Sequence, residues 1–232
     1  MISKRTNHRR GRLLVATAVV LLAAAGITAI GFGLRGNGPP PAPAAAAPAP
    51  SATPTRTATP SPTAPATPQP APSVGPILSR SMPTHVDIPA IGVSSSLIQL
   101  SKNADGTVQV PPLTDPSPAG WYTGSPTPGE LGPAVILGHV DTRVGPSVFY
   151  RLGDIRPGDE VSVTRSDGTV AVFTVDSVTQ YPKADFPTLK VYGNTDRAEL
   201  RLITCGGVFN SAIGHYDKNT VVYATLTSSH PA

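Results

Sequence analysis

Proline dominates residues 37–76, and this segment sets the strongest limit on how the chain folds. Thirteen of the 28 prolines lie between Pro39 and Pro72, mixed with alanine, serine and threonine. Because proline has no backbone N–H and a fixed φ, the segment can form neither a regular helix nor a sheet ladder. We expect an extended linker, in which the 34 residues from Pro39 to Pro72 span at most about 100 Å at ~3 Å per residue. It separates an N-terminal segment from a folding region at residues 77–232.

An uncharged run of 22 residues, from Leu13 to Leu34, precedes the linker. A helix needs about 20 apolar residues to cross the hydrocarbon core of a bilayer, so residues 13–34 predict a transmembrane anchor. Residues 1–12 carry five basic residues and no acid, which predicts that this tail stays in the cytoplasm while the C-terminus lies outside. The alternative is a cleaved signal peptide, whose apolar region is shorter, roughly 7–15 residues.

The positive charge of the chain belongs to its N-terminal part. All 14 acidic residues lie between Asp87 and Asp217, and residues 77–232 contain 11 basic residues, which gives that region a net charge of −3. The sequence pI of about 9.4 therefore reflects the segment beside the predicted membrane anchor rather than a basic folded surface. This distribution argues against nucleic acid as a partner.

Short β-type runs separated by turn residues fill residues 77–232. Glu160–Arg165 and Thr169–Val175 alternate polar and apolar residues and flank Ser166–Gly168, which predicts a hairpin. The other candidate strands are 85–88, 96–100, 108–110, 134–137, 200–204 and 220–226, and short helical turns are expected near 120–123 and 146–152. Without a long amphipathic helix, this pattern predicts an all-β barrel or sandwich.

Cys205 is the only cysteine of the chain, and it ends the alternating run Leu200–Thr204 before two glycines. A thiol in this position is held by the sheet and left open to the backbone of a substrate. A free cysteine is often a small buried hydrophobe. An idle thiol outside the cell, however, is exposed to oxidation and mispairing. The context favours a nucleophile.

His139 follows the apolar run Ala134–Leu137 and a glycine. A thiol nucleophile needs an imidazole partner, and the leaving amine needs a proton donor that titrates in the neutral range. The alternative is a structural histidine held by hydrogen bonds. Because His139 precedes Cys205, the order disfavours papain-like peptidases, in which the cysteine comes first. No metal-ligand spacing is present, so we expect neither a metal nor another cofactor.

The residues around His139 and Cys205 resemble the sortase family. The matching stretches are Ile88–Gly92, Gly138–His139, Leu202–Cys205 and Val221–Ala224. GWYTGSPTPGELGPAVILGHVD, VFYRL and LITCGG are most similar to the class F sortases of high-GC Gram-positive bacteria. The resemblance covers nearly all of residues 77–232.

This resemblance implies an eight-stranded β-barrel and a cysteine transpeptidase. Together with the predicted anchor at residues 13–34, it predicts an enzyme held at the cell membrane with its catalytic domain outside. A sortase cleaves an LPXTG-like sorting signal between Thr and Gly. The cleaved protein is held as a thioacyl intermediate on the cysteine, here Cys205, with His139 as acid and base, and then passes to an amine. The implied partners are proteins with sorting signals and an amine acceptor of the cell wall or of a pilin.

Sortases supply an arginine from the strand after the cysteine, and here no arginine follows Cys205. Counting forward from the cysteine brings Lys218 to that place, whereas counting back from the last strand brings Asn219. Lys218 is the predicted oxyanion- and substrate-binding residue, because lysine supplies a positive charge. The alternatives are the amide of Asn219 and three arginines elsewhere in the chain: Arg143, Arg151 and Arg201.

Two other functions fit the sequence less well. An L,D-transpeptidase acting on peptidoglycan is also a β-rich cysteine enzyme, but that family carries Ser-His-Gly-Cys where this chain has Leu-Ile-Thr-Cys. A catalytically idle module that binds the cell wall would explain the missing arginine, but not the presence of both His139 and Cys205. The reactivity of the thiol at neutral pH distinguishes an enzyme from such a module.

Overall fold

The computed structural model describes residues 39–44, 75–114 and 116–232. The predicted cytoplasmic tail, the predicted transmembrane anchor and most of the predicted linker lie outside the described residues. Within those ranges, no helix has the length and apolar character needed to cross a bilayer.

The described part of the chain consists mainly of β-strands. In chain order they are β1 (Pro83–Ile88), β2 (Val93–Leu100), β3 (Ala119–Tyr122), β4 (Gly132–Leu137), β5 (Asp141–Thr142), β6 (Gly145–Pro146), β7 (Glu160–Arg165), β8 (Thr169–Pro182), β9 (Ala198–Asn210) and β10 (His215–Pro231). A short helix, α1 (Thr188–Tyr192), lies between β8 and β9. Three-residue 3-10 turns occupy Pro89–Ile91, Leu152–Asp154 and Lys183–Asp185.

Eight of these strands close into a barrel in the order β1-β2-β3-β4-β9-β10-β8-β7. The barrel closes because β1 pairs with β7 as well as with β2. Most neighbours are antiparallel, but β2 runs parallel to β3 and β4 runs parallel to β9. Strands β5 and β6 form a separate two-stranded ribbon. The all-β prediction and the eight-stranded barrel implied by the resemblance are confirmed.

The interior of the barrel is filled by alternate residues of each strand, as the two-residue period of a strand requires. In β7, Val161 and Val163 are fully buried. Trp121 and Phe173 are among the largest fully buried side chains. The indole N–H of Trp121 donates a hydrogen bond to the carbonyl oxygen of Pro126 at 3.0 Å, so its polar atom is not left unpaired in the core.

Two of the predicted elements were wrong. Residues 120–123 were expected to form a helical turn, but β3 covers Ala119–Tyr122. Gly120 suggested a turn, but this strand position requires glycine for a packing reason. The side chain of Leu100 lies against it, and a Cβ on residue 120 would be 2.5 Å from a Leu100 methyl carbon. Residues 108–110 were expected to form a strand, but only Val108 forms an isolated bridge.

A short piece of the proline-rich segment packs on the barrel. Pro40 is buried. The carbonyl of Pro41 lies so close to Gly153 that a Cβ on this glycine would be 1.9 Å from the oxygen. Residues 39–44 therefore contact the 3-10 turn Leu152–Asp154, and any side chain at position 153 would displace them.

Candidate active site

The parallel pairing of β4 with β9 brings the two predicted catalytic residues to one place. Leu137 is the register partner of Ile203, and the N–H of Gly138 donates a hydrogen bond to the Ile203 carbonyl at 3.1 Å. His139 comes two residues after Leu137, and Cys205 comes two residues after Ile203. Both side chains therefore lie at the same level of the barrel, His139 just beyond the end of β4 and Cys205 within β9, which continues to Asn210 rather than ending at the cysteine.

A cleft of about 750 Å³ opens at this level, and both His139 and Cys205 line it. Its walls are largely apolar, formed by Val108, Val110, Pro111, Tyr122, Leu137, Tyr192 and Ile203. The charged side chains in the lining are Lys102 and Lys183, and the described lining contains no carboxylate. The cleft is therefore suited to an apolar peptide and to negative charge that develops at the thiol.

His139 is half-buried, and its Nε2 lies 2.7 Å from the carbonyl oxygen of Pro111. A carbonyl oxygen only accepts hydrogen bonds, so Nε2 carries the proton in this geometry. Pro111 lies on the long β2–β3 connection, which covers one side of the cleft. Within the described residues, His139 and Cys205 face the same cleft without a hydrogen bond between them.

Cys205 is half-buried in β9, and its Sγ accepts a hydrogen bond from Nζ of Lys183 at 3.4 Å. Lys183 begins the 3-10 turn that follows β8. Lys183 was not predicted as a site residue, because nothing in its local sequence distinguishes it from a surface lysine. Its proximity to the thiol depends on the position of β8 in the barrel, which a local pattern does not give.

Strand β10 places Asn219 directly opposite Cys205 in the ladder. Register partners have their side chains on the same face, and Asn219 lines the cleft. Lys218 is the neighbouring residue, so strand alternation directs its side chain to the opposite face. Its Cγ lies beside Gly207, where an added Cβ would be 2.9 Å away, and it is not part of the cleft lining.

The three arginines considered from the sequence lie outside the cleft lining. The guanidinium of Arg201 is buried, forms an ion pair with Glu199 and lies 4.5 Å from the ring centroid of Tyr223. Arg151 pairs with Asp154 at 3.0 Å. Arg143 is exposed.

A polar contact fixes the segment after His139. The hydroxyl of Tyr216 in β10 donates a hydrogen bond to a carboxylate oxygen of Asp141 in β5. Burial, followed by this hydrogen bond and the negative charge of Asp141, raises the pKa of Tyr216. The contact links the β5–β6 ribbon, which follows His139 in the chain, to β10, which pairs with β9 and its Cys205.

Comparison with known proteins identifies one family. The family model described as the sortase domain matches residues 86–227. No curated protein matches the chain.

Similar solved structures are also sortases. The chain is 17% identical to sortase A of Listeria monocytogenes, covering 66% of this chain and 92% of that chain with a TM-score of 0.49. The SrtA sortase of Actinomyces oris is 22% identical, with 70% of this chain and 89% of that chain covered and a TM-score of 0.48. Sortase C of Streptococcus pneumoniae is 21% identical, with 64% of this chain and 68% of that chain covered and a TM-score of 0.49. Because the sortase domain matches more than half of the chain and includes both His139 and Cys205, the chain belongs to the sortase family.

Proposed function

We propose that this sortase is a transpeptidase of the class F type that cleaves an LPXTG-like sorting signal between Thr and Gly. The cleaved protein is transferred through a thioacyl intermediate on Cys205 to an amine of the cell wall or of a pilin. The class assignment rests on the stretches GWYTGSPTPGELGPAVILGHVD, VFYRL and LITCGG. The substrate class rests on membership of the family and on the apolar walls of the cleft.

One observation carries the proposal: His139, just beyond the end of β4, and Cys205, in the neighbouring parallel strand β9, lie at the same level and face one cleft. A thiol and an imidazole in the same cleft is the arrangement that acyl transfer from a peptide requires. A binding module without catalytic function has no need to place these two groups together.

The residues present allow a balanced two-step reaction. The thiol of Cys205 gives its proton to His139, and the resulting thiolate attacks the carbonyl carbon of the Thr–Gly bond. The tetrahedral intermediate then breaks its C–N bond as the imidazolium of His139 gives that proton to the leaving amine. A thioester remains on Cys205. The acceptor amine then attacks this thioester, His139 takes its proton, and the thiolate leaves.

The oxyanion of each tetrahedral intermediate needs a hydrogen-bond donor or a positive charge. Asn219 lies in the cleft opposite Cys205 and presents an amide donor. Lys218, the residue predicted from the sequence, lies on the other face of β10 and stays a prediction for substrate binding.

The proposed place of action is the outer face of the cell membrane. The uncharged run at residues 13–34 is the proposed single-pass anchor, residues 1–12 the cytoplasmic tail and residues 37–76 the linker to the catalytic domain at 77–232. N-terminal sequencing of the mature protein tests this organisation, because a new N-terminus after residues 44–47 would mean that a signal peptide is removed.

Intact mass spectrometry after incubation with LPXTG-like peptides tests the proposed activity. The wild type should gain the acyl fragment of the peptide, and hydroxylamine should remove it. Cys205→Ala and Cys205→Ser should form no adduct, and His139→Ala should lose turnover because the leaving amine has no proton donor. The double variant should be about as slow as either single one, since the two groups act as a unit. Peptide cleavage without Cys205, or no adduct with any peptide of a sorting-signal library, would refute the proposal in favour of a wall-binding module.

A further inference from the structure

The thiol of Cys205 has a cationic neighbour that is not at the expected position. Nζ of Lys183 donates a hydrogen bond to Sγ at 3.4 Å. This is the hydrogen bond that the sulfur receives from the described residues. Lys183 is half-buried and forms no ion pair with any described residue. Its positive charge is therefore not neutralised by a carboxylate and is directed at the sulfur.

The backbone explains how Lys183 reaches the thiol. Pro182, the last residue of β8, is the register partner of Lys218, so the end of β8 lies beside β10. Strand β10 in turn pairs with β9 at Asn219 and Cys205. The 3-10 turn Lys183–Asp185 begins at this point, and Lys183 extends across the end of β10 to the sulfur.

We propose that Lys183 is a catalytic residue that supplies the positive charge for which the chain has no arginine after its cysteine. The ammonium stabilises the thiolate of Cys205 and then the negative charge as it moves to the carbonyl oxygen of the substrate. The role of Lys183 at the substrate oxygen rests on the proposed function. Its role at the thiolate of Cys205 does not depend on any substrate. Lysine acts here as a point charge rather than as a planar fork.

The other cations near the cleft do not take this position. Lys102 is exposed and forms no bond to the thiol. Nζ of Lys190 lies over the rings of Tyr181 and Tyr223, at 5.5 and 5.8 Å from their centroids. Lys190 belongs to the same β8–β9 connection as Lys183 and serves as a matched control, because it carries the same charge without touching Cys205.

The test is the rate at which iodoacetamide alkylates Cys205 in the full-length chain in detergent, measured at pH 7 and at pH 10. Lys183→Met keeps the length of the side chain and removes the charge, so alkylation at pH 7 should slow about tenfold. Lys183→Arg should retain most of the rate, and Lys190→Met should match the wild type. At pH 10 an ordinary thiol is ionised, so the rates of Lys183→Met and wild type should converge. The other titratable groups near the thiol, His139, Lys102 and Tyr216, are unchanged in these variants.

Each result either supports or overturns the assignment. Equal rates for Lys183→Met and wild type at pH 7 would overturn it, as would a deficit of Lys183→Met that persists at pH 10, because a persistent deficit indicates blocked access rather than lost charge. An equal loss in Lys190→Met would also overturn it, since the effect would then be general to the segment. If the alkylation results hold but no sorting-signal peptide forms an adduct, the proposed function fails while the role of Lys183 at the thiol stands.

Discussion

Gly138 has to be a glycine because a side chain at this position would meet the buried ring of Phe149. A Cβ on Gly138 would lie 2.5 Å from Cδ2 of Phe149 and 2.7 Å from a methyl carbon of Val148. Carbon atoms pack at about 3.5–4.0 Å, so the overlap is roughly 1 Å. Phe149 is 0% exposed and has no free space to enter. Gly138→Ala should therefore destabilise the domain by about 1–3 kcal/mol.

The same substitution should reduce activity, because Gly138 directly precedes His139. A displacement of about 1 Å at a catalytic group can slow a reaction roughly 100-fold. Thermal unfolding followed by circular dichroism should show a Tm lower by about 3–9 °C, at roughly 3 °C per kcal/mol for a domain of this size. Formation of the thioacyl adduct should slow in the same variant.

A second substitution tests whether the ring of Phe149 is the cause. Phe149→Leu alone should cost about 1–2 kcal/mol for the lost packing. Combined with Gly138→Ala it should restore at least about 1 kcal/mol relative to the sum of the single variants, because the shortened side chain makes room for the methyl group. Gly158→Ala is the control, since Gly158 has a φ of +94° but nothing within 4 Å of its Cβ position. This variant should lose some stability but no activity. Strict additivity of the two substitutions would refute the reasoning.

Four further outcomes are expected. Asn219→Ala should slow thioacyl formation about 100-fold by removing an amide donor opposite the thiol. Lys218→Ala should stay within about threefold of the wild type if Asn219 has this role, whereas a loss of about 10²–10³ would support the sequence-based prediction of Lys218. Tyr216→Phe should destabilise the domain by about 1–2 kcal/mol in urea denaturation, because Asp141 loses a hydrogen bond; an unchanged midpoint would contradict this. A truncated chain beginning at Ser73 should melt cooperatively with a β-type circular dichroism spectrum, and an aggregated product would show that the folding boundary is misplaced.

Local sequence patterns predicted most of the strands, because alternation and turn residues act over short distances. The run Glu160–Arg165 coincides with β7. The run at 169–175 predicted only the first half of β8, which continues to Pro182, since its second half is partly exposed and loses the alternation. Burial on one face produces a pattern in the sequence, and a strand that is exposed on both faces does not produce one.

The arrangement of the site was much harder to predict from the sequence. Alternation does not say which strands pair, so the parallel pairing of Leu137 with Ile203 had no sequence signal. The partnership of His139 and Cys205 was predicted from their chemistry, from the apolar runs and glycines beside them and from the resemblance, without the strand pairing that places them together. The one-residue difference between Lys218 and Asn219 could not be settled by counting, because the ladder of β9 and β10 has a register shift between Tyr216 and Lys218. An irregularity of this kind turns a neighbouring residue onto the other face.

The place of β10 as the last barrel strand in chain order has a consequence for how the domain folds. This strand pairs with both β8 and β9, so a chain that ends before it leaves two strand edges unpaired, and the barrel stays open. Closure joins segments far apart in the sequence, such as β4 with β9, and folding of this kind takes about milliseconds to seconds. The barrel therefore closes only once β10 is available to pair with both β8 and β9. Because Cys205 is its only cysteine, the incompletely folded chain cannot form a wrong intramolecular disulfide.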